Sequence, residues 1–214
     1  MTKCWINLIF GASALVLAGC SSGGPPAPQT AILRDDFTGP ACRFGSLEGT
    51  ASFGYGCADG EFRAWIDNDQ AAYDFISAPA GETFGDVRIE VDARFESGVE
   101  AGAYLLCRGS QASGNFYVFR VGVDSLAEIT DFLSGEEQVA RLFPMPEGAL
   151  RSGTNHLRAD CIGDTLSLFV NGSLMLERSI EGSVYGTGDV GLGAGGGSQG
   201  LSAVRFDNLV VTSP

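Results

Sequence analysis

The sequence predicts an all-β fold, an antiparallel sandwich or barrel, on three observations. The segment Asp86-Val-Arg-Ile-Glu-Val-Asp-Ala-Arg-Phe-Glu96 alternates five apolar with six charged residues, the period of a strand with one buried and one wet face. Gly163-Asp164 and Asn171-Gly172 each separate two apolar-alternating runs, and such pairs mark tight hairpins because they tolerate positive φ. After residue 20 no stretch sustains a 3.6-residue apolar stripe, so helix content is expected to be very small.

The first residues read differently. Lys3, the apolar run from Trp5 to Leu17 and the small residues up to Cys20 have the three-part build of an export signal. The apolar run is shorter than the roughly 20 residues that a helix needs to cross a bilayer. The tetrapeptide Leu17-Ala18-Gly19-Cys20 resembles the lipobox of bacterial lipoproteins. That resemblance implies removal of residues 1–19 and a diacylglyceryl group on the Cys20 thiol. Two or more acyl chains would hold the protein on a membrane, outside the cytoplasm, without spanning it. Residues 20–31 then form the lipidated cysteine and a flexible Gly/Pro/Ser tether, and residues 32–214 form one domain.

Within the domain the strongest strand is 86–96. Further strands are expected at 101–108, 116–123, 128–132, 138–142, 156–162, 165–170, 174–179, 190–194 and 204–211, with turn residues between them. The Gly-rich run 191–200 contains no lysine and precedes no helical pattern, so it reads as a strand with a loop and not as a phosphate loop.

Composition narrows the function classes. After processing, twelve arginines face twenty-six acidic residues, a formal charge of −14. Such a chain repels a phosphate backbone, so nucleic acid is excluded as a partner. Cys4 leaves with the signal and Cys20 is taken by lipid. Cys42, Cys57, Cys107 and Cys161 remain, an even number in an oxidising compartment, where disulfides are the default. Of the three pairings, Cys42 with Cys57 and Cys107 with Cys161 is expected, because the first two share a short Gly-rich segment and the others lie on separate strands. No Cys-x-x-Cys pair accompanies the single histidine, His156, so zinc is disfavoured.

The segments Thr154-Asn-His-Leu-Arg-Ala-Asp-Cys-Ile-Gly-Asp-Thr-Leu-Ser-Leu-Phe-Val-Asn-Gly172, Gly188-Asp-Val-Gly-Leu192 and Val204-Arg-Phe-Asp-Asn-Leu209 follow one another in order. Together with Asp35-Asp36-Phe37 they resemble the laminin-G-like and concanavalin A-like lectin/glucanase superfamily. The resemblance covers most of residues 33–212 and implies a two-sheet antiparallel jelly roll whose first and last strands lie side by side. In many members a concave face binds sugars.

The candidate chemistries follow from there. Glu90, Asp92 and Glu96 lie on one face of one strand, as in the laminarinase-like glucanases, but with one residue too many before the last carboxylate. Arg88 and Arg94 interrupt the set, which suits a solvated sheet face better than the two free carboxylates of glycoside hydrolysis. His156 has no nucleophile motif near it and is read as structural. Among Trp65, Tyr73, Phe75, Tyr104, Tyr117 and Tyr185, Trp65 is the candidate sugar platform, because Asp67, Asn68, Asp69 and Gln70 follow it. The superfamily resemblance also implies a structural calcium ion near the closing strand, with Asp36 and Asp207 as ligands. The expected function is a lipid-anchored, non-catalytic module that binds glycan or another cell-envelope component. The alternatives are a glycoside hydrolase-like enzyme acting on polysaccharide and a scaffold without a small ligand.

Overall fold

A computed structural model describes residues 31–39, 42–67, 69, 75–97, 101–110, 112–180, 185–196 and 200–214. The export signal, Cys20, the tether up to residue 30, Asn68, Gln70 and Tyr73 lie outside the described residues. The described chain is built from strands and contains no helix. They are β1 (Ala31–Asp35), β2 (Glu48–Gly49), β3 (Phe53–Ala58), β4 (Glu61–Asp67), β5 (Phe75–Pro79), β6 (Val87–Ser97), β7 (Gly102–Ser110) and β8 (Asn115–Gly122). The second half contributes β9 (Leu126–Leu133), β10 (Glu136–Pro144), β11 (Asn155–Ile162), β12 (Thr165–Val170), β13 (Ser173–Ser179), β14 (Asp189–Gly195) and β15 (Leu201–Thr212).

The strands form two antiparallel sheets, a jelly-roll sandwich. One has nine strands in the order β13-β12-β11-β6-β15-β4-β3-β2, with β1 also on β15, and the other has six in the order β10-β9-β8-β7-β14-β5. The long strand β15 organises the first sheet. Its start pairs with β4, its end pairs with β1, and β6 runs along its other side. Ala31, placed in the tether from composition, already pairs with Thr212.

The expected hairpins form as the turn residues require. Val170 pairs with Ser173 across Asn171 and Gly172, both at positive φ (51° and 85°), the conformation of a type I′ turn. Alternation on β6 is obeyed: Val87, Ile89, Val91 and Ala93 are fully buried, and the charged residues face out. Five strands, β1 to β5, were not read from periodicity, and the first was expected only from the family resemblance. In β3, Gly54 and Gly56 replace the β-branched and aromatic residues that announce a strand. Gly54 is required because the Trp65 ring lies directly on its backbone. In β4, Phe62, Ala64 and Ile66 point inward, but the large apolar Trp65 sits on the outer face and spoils the alternation.

The core between the sheets is apolar, and at one end Phe44 packs on Phe62 with ring centroids 4.9 Å apart. Both expected disulfides are present, Cys42–Cys57 and Cys107–Cys161, with Cα separations of 6.2 and 6.7 Å. The second joins β7 of one sheet to β11 of the other, so it staples the sandwich across its core.

Candidate functional site

Two solvent-side faces are available, one on each sheet, and their chemistry differs. On the nine-stranded sheet the outer residues of β6, β11, β4 and β15 form a lattice of ion pairs. Arg88 grips Asp160 through Nε and a terminal nitrogen at 2.8 and 3.0 Å. Arg158 also donates to Asp160 at 3.0 Å while its guanidinium lies 3.6 Å from the Phe169 ring centroid. Glu61 accepts from Arg94 at 3.1 Å and from Arg205 at 3.0 Å. Glu96 accepts from Arg63 at 2.6 Å and from Arg205.

Of the carboxylate row, Glu96 belongs to this lattice, whereas Glu90 and Asp92 lie beside it. Arg88 and Arg94 do not neutralise the row from their own strand, as the sequence suggested. Arg88 reaches Asp160, which faces it on the paired strand β11, where facing residues are about 5 Å apart and same-face neighbours on one strand nearly 7 Å; the long Arg94 side chain crosses β15 to Glu61 on β4. Burial raises the Glu96 pKa, but the hydrogen bonds from Arg205 and Arg63 outweigh it and hold the carboxyl below its ordinary value. A group held ionised in this way is set against the role of general acid. His156, on β11, contacts Asp92 through Nδ1 at 3.0 Å and Glu90 through Nε2 at 3.5 Å. Asp92 also accepts from the Asn208 side-chain amide at 3.1 Å.

Trp65 is on this sheet but is not an open platform. The residue is 9% exposed. Its ring rests on Gly49 and Gly54, its indole N–H donates to the Thr50 carbonyl at 3.0 Å, and the Arg63 guanidinium stands 4.9 Å from the ring. The short β2–β3 hairpin covers the surface that a sugar would need. The calcium candidates do not converge either. Asp36 lines one depression and Asp207 another, with Asn208 between them, and each carboxylate accepts from its own neighbour, Thr38 or Asn208. Among the described residues no three His, Cys, Asp or Glu side chains are grouped to hold a metal. Two carboxylates in separate depressions do not approach the six to eight oxygens of a calcium shell.

The outer face of the six-stranded sheet is of another kind. Tyr104 and Leu106 on β7 and Val118 on β8 form an apolar cluster of their own, only 7%, 7% and 2% exposed, separate from the main core. Phe116 and Phe132 extend it as a stacked pair with centroids 4.8 Å apart and planes 22° apart. At one end of the cluster Arg120 donates to Asp124 at 2.6 Å, and Glu128 faces Arg120 across the β8–β9 pair. Burial opposes the Arg120 charge, but Asp124 and the neighbouring Tyr104 and Glu128 raise its pKa, so the guanidinium stays ionised. Gly102 and Gly122 face each other beneath it, and a Cβ on Gly102 would meet Arg120 Nε at 2.9 Å. At the other end a cavity of about 70 Å³ is lined by Leu106, Phe116, Pro79, Ser77 and Asp189. Tyr104, Leu106 and Val118 are as closed to solvent as Trp65, and the half-buried Phe116 and Phe132 are the more accessible members; an aromatic edge with hydroxyl and carboxylate groups at its margins offers a polyhydroxylated ring a face and acceptors for its hydroxyls.

Of the aromatic candidates whose side chains are described, only Tyr104 is on this face. Tyr117 and Tyr185 are buried against each other, and the Tyr185 hydroxyl donates to the Phe132 carbonyl at 2.7 Å. The Phe75 side chain, like Tyr73, lies outside the described residues. Phe116, Phe132 and Arg120 were missed because β8 is apolar on both faces, which hides the side that looks outward.

No protein-family model matches the chain, and no curated protein matches it. Solved structures do. The carbohydrate-binding module CBM66 from Bacillus subtilis aligns over 80% of this chain and 93% of its own, with 19% identity and a TM-score of 0.54. A protein of unknown function with a galectin-like fold, also from Bacillus subtilis, aligns over 87% and 97% with 12% identity and a TM-score of 0.61. A β-glucanase from Bacillus licheniformis aligns over 85% and 97% with 10% identity and a TM-score of 0.60. At these identities the likeness is one of fold, and the chain shares the jelly roll of all three.

Proposed function

We propose that this protein is a lipid-anchored, extracytoplasmic binding module that holds glycan or another envelope component on the outer face of its six-stranded sheet, without hydrolysing it. The observation that carries the reading is the contrast between the two faces. On the nine-stranded sheet Glu61, Glu96 and Asp160 are tied into an arginine lattice and Glu90 and Asp92 face His156, whereas on the six-stranded sheet the half-buried pair Phe116 and Phe132 edges a cluster with the buried Tyr104 and Leu106, beside Arg120 and Asp124. The similar fold of a carbohydrate-binding module supports the reading, and so does the lipobox-like Leu17-Ala18-Gly19-Cys20.

A hydrolytic reading has one observation in its favour. Asp124 and Glu128, two carboxylates, flank Arg120 on the same face, and the fold is shared with β-glucanases. The test is a glycan array run beside a reducing-sugar release assay on the purified protein. Retention on the array that weakens about two- to ten-fold in Tyr104→Ala or Phe116→Ala is expected, since aromatic contacts contribute about 0.5–1.5 kcal/mol each. Sugar release that disappears in Glu128→Gln or Glu90→Gln would overturn the binding-only reading.

A further inference from the structure

At the end of the sandwich away from the Ala31–Thr212 pair, the connection between β10 and β11 folds over a cavity of about 450 Å³. That is within the roughly 300–1,000 Å³ of small-molecule sites. Phe95, Met145 and Leu150 give it an apolar wall, while Ser125, Arg151 and Ser152 give it a polar lip.

The connection is held open from behind. Asn155 is fully buried, and its Oδ1 accepts the Arg151 backbone N–H at 2.8 Å. Its amide nitrogen donates to the carbonyls of Arg151 and Gly153, each at 3.1 Å. Asn171, in the β12–β13 turn, donates to the Ala149 carbonyl at 2.8 Å and to Asn155 Oδ1 at 3.0 Å. Two amide side chains thus fix the backbone of residues 149–153 and leave the cavity formed in advance of any ligand, which lowers the entropic cost of binding.

Arg151 supplies the charge. Among the described residues it is the only charged one lining the cavity; Glu147, the acid of the same connection, is not part of the wall. Nine of the twelve arginines pair with a carboxylate among the described residues, and Arg151 does not. In a chain of formal charge −14 after processing, an unpaired cation at a preformed cavity is a local reversal of the field, and it selects an anion. Val123 and Ser125 of the wall flank Asp124, the partner of Arg120, so the cavity opens at one end of the apolar shelf.

We infer that this cavity binds a carboxylate-bearing sugar unit, a uronic acid at or near the end of a glycan chain. Arg151 pairs with the carboxylate, the apolar wall takes the flat face of the ring, and the Ser125 and Ser152 hydroxyls meet its hydroxyl groups. The inference rests on the glycan reading and adds the class of sugar and where it sits.

The test titrates the full chain, purified in detergent, with glucuronic and galacturonic acid, with glucose and galactose, and with acetate and glutamate. Uronic acids are expected to bind, neutral sugars and the simple carboxylates to bind far more weakly. Arg151→Gln should weaken uronic acid binding by at least about ten-fold, since a charge-assisted hydrogen bond is lost. Gly153→Trp should abolish it by filling the cavity, and the fold should tolerate the change because a Cβ there meets no atom within 4 Å. Equal binding of neutral sugars, equal binding of acetate, or an unchanged affinity in Arg151→Gln overturns the inference. Glycan retention that depends on Tyr104 but involves no uronic acid overturns it while leaving the glycan reading standing. Uronic acid binding without Tyr104-dependent retention supports the cavity and removes the shelf.

Discussion

Glu96 shows how one side chain ties the outer lattice to acid stability. Two guanidiniums, Arg63 and Arg205, hold its carboxyl below the ordinary value of 4.5, against the upward push of burial. The sign follows from linkage: a carboxyl whose pKa is lower in the folded than in the unfolded chain stabilises the fold above its unfolded pKa. That contribution is lost as pH falls through the folded value. Chemical denaturation from about pH 5 to pH 3 should therefore show a steeper loss of stability in the native protein than in Glu96→Gln. Parallel profiles would mean that the lattice contributes nothing at this position, as exposed pairs often do.

At the scale of elements, the β10–β11 connection is the segment whose order depends most on side-chain hydrogen bonds. It has no ladder of its own, and Asn155 does the work of a neighbouring strand for Arg151 and Gly153. Asn155→Ala leaves a backbone donor and two carbonyls without these partners. A cost of about 2–3 kcal/mol in denaturant unfolding is expected from unsatisfied groups of this kind. Hydrogen exchange should speed up most at the Arg151 amide. Uniform acceleration across the sheets, or no change, would show that the connection is held by something other than the amide pair. The Cys107–Cys161 link works on a larger element, since it joins the two sheets across a loop with a sequence separation of 54. Chain-entropy estimates give such a link about 4 kcal/mol at most.

For the whole molecule, the position of Ala31 beside Thr212 sets how an anchored domain would stand. On the lipid-anchor reading the tether would reach the domain at the end of the sandwich where Ala31 pairs, opposite the Arg151 cavity. Ten residues lie between Cys20 and Ala31, a reach of at most roughly 40 Å if fully extended. On the lipid-anchor reading, Cys20→Ser should shift the protein from the membrane fraction to soluble or unprocessed fractions. Detergent partitioning that is the same in both proteins would refute the anchor. On the same reading the acidic net charge would disfavour lying flat on an anionic leaflet and would turn the six-stranded face and the Arg151 cavity away from the bilayer.

Alternation along 86–96, the Gly163-Asp164 and Asn171-Gly172 turns, and the even set of four cysteines after Cys20 were sufficient to expect an antiparallel sandwich or barrel and its disulfide partners, and the family resemblance added the two-sheet jelly roll. These are local rules, acting over two to four residues, or pairings constrained by strand order. Which face of β8 looks outward was not legible, because Phe116 and Val118 are as apolar as Tyr117 and Phe119, and only packing against the other sheet assigns the latter to the core. The fate of each charge was not legible either. Arg205 and Glu61 are 144 residues apart in sequence and 3.0 Å apart in space, and Trp65 is covered by a hairpin whose glycines gave no strand signal. Chain periodicity says that a strand has two unlike faces; it carries no information about which distant strand lies alongside, and that neighbour decides whether a carboxylate is free, an aromatic ring is open, or an arginine is left to meet a ligand.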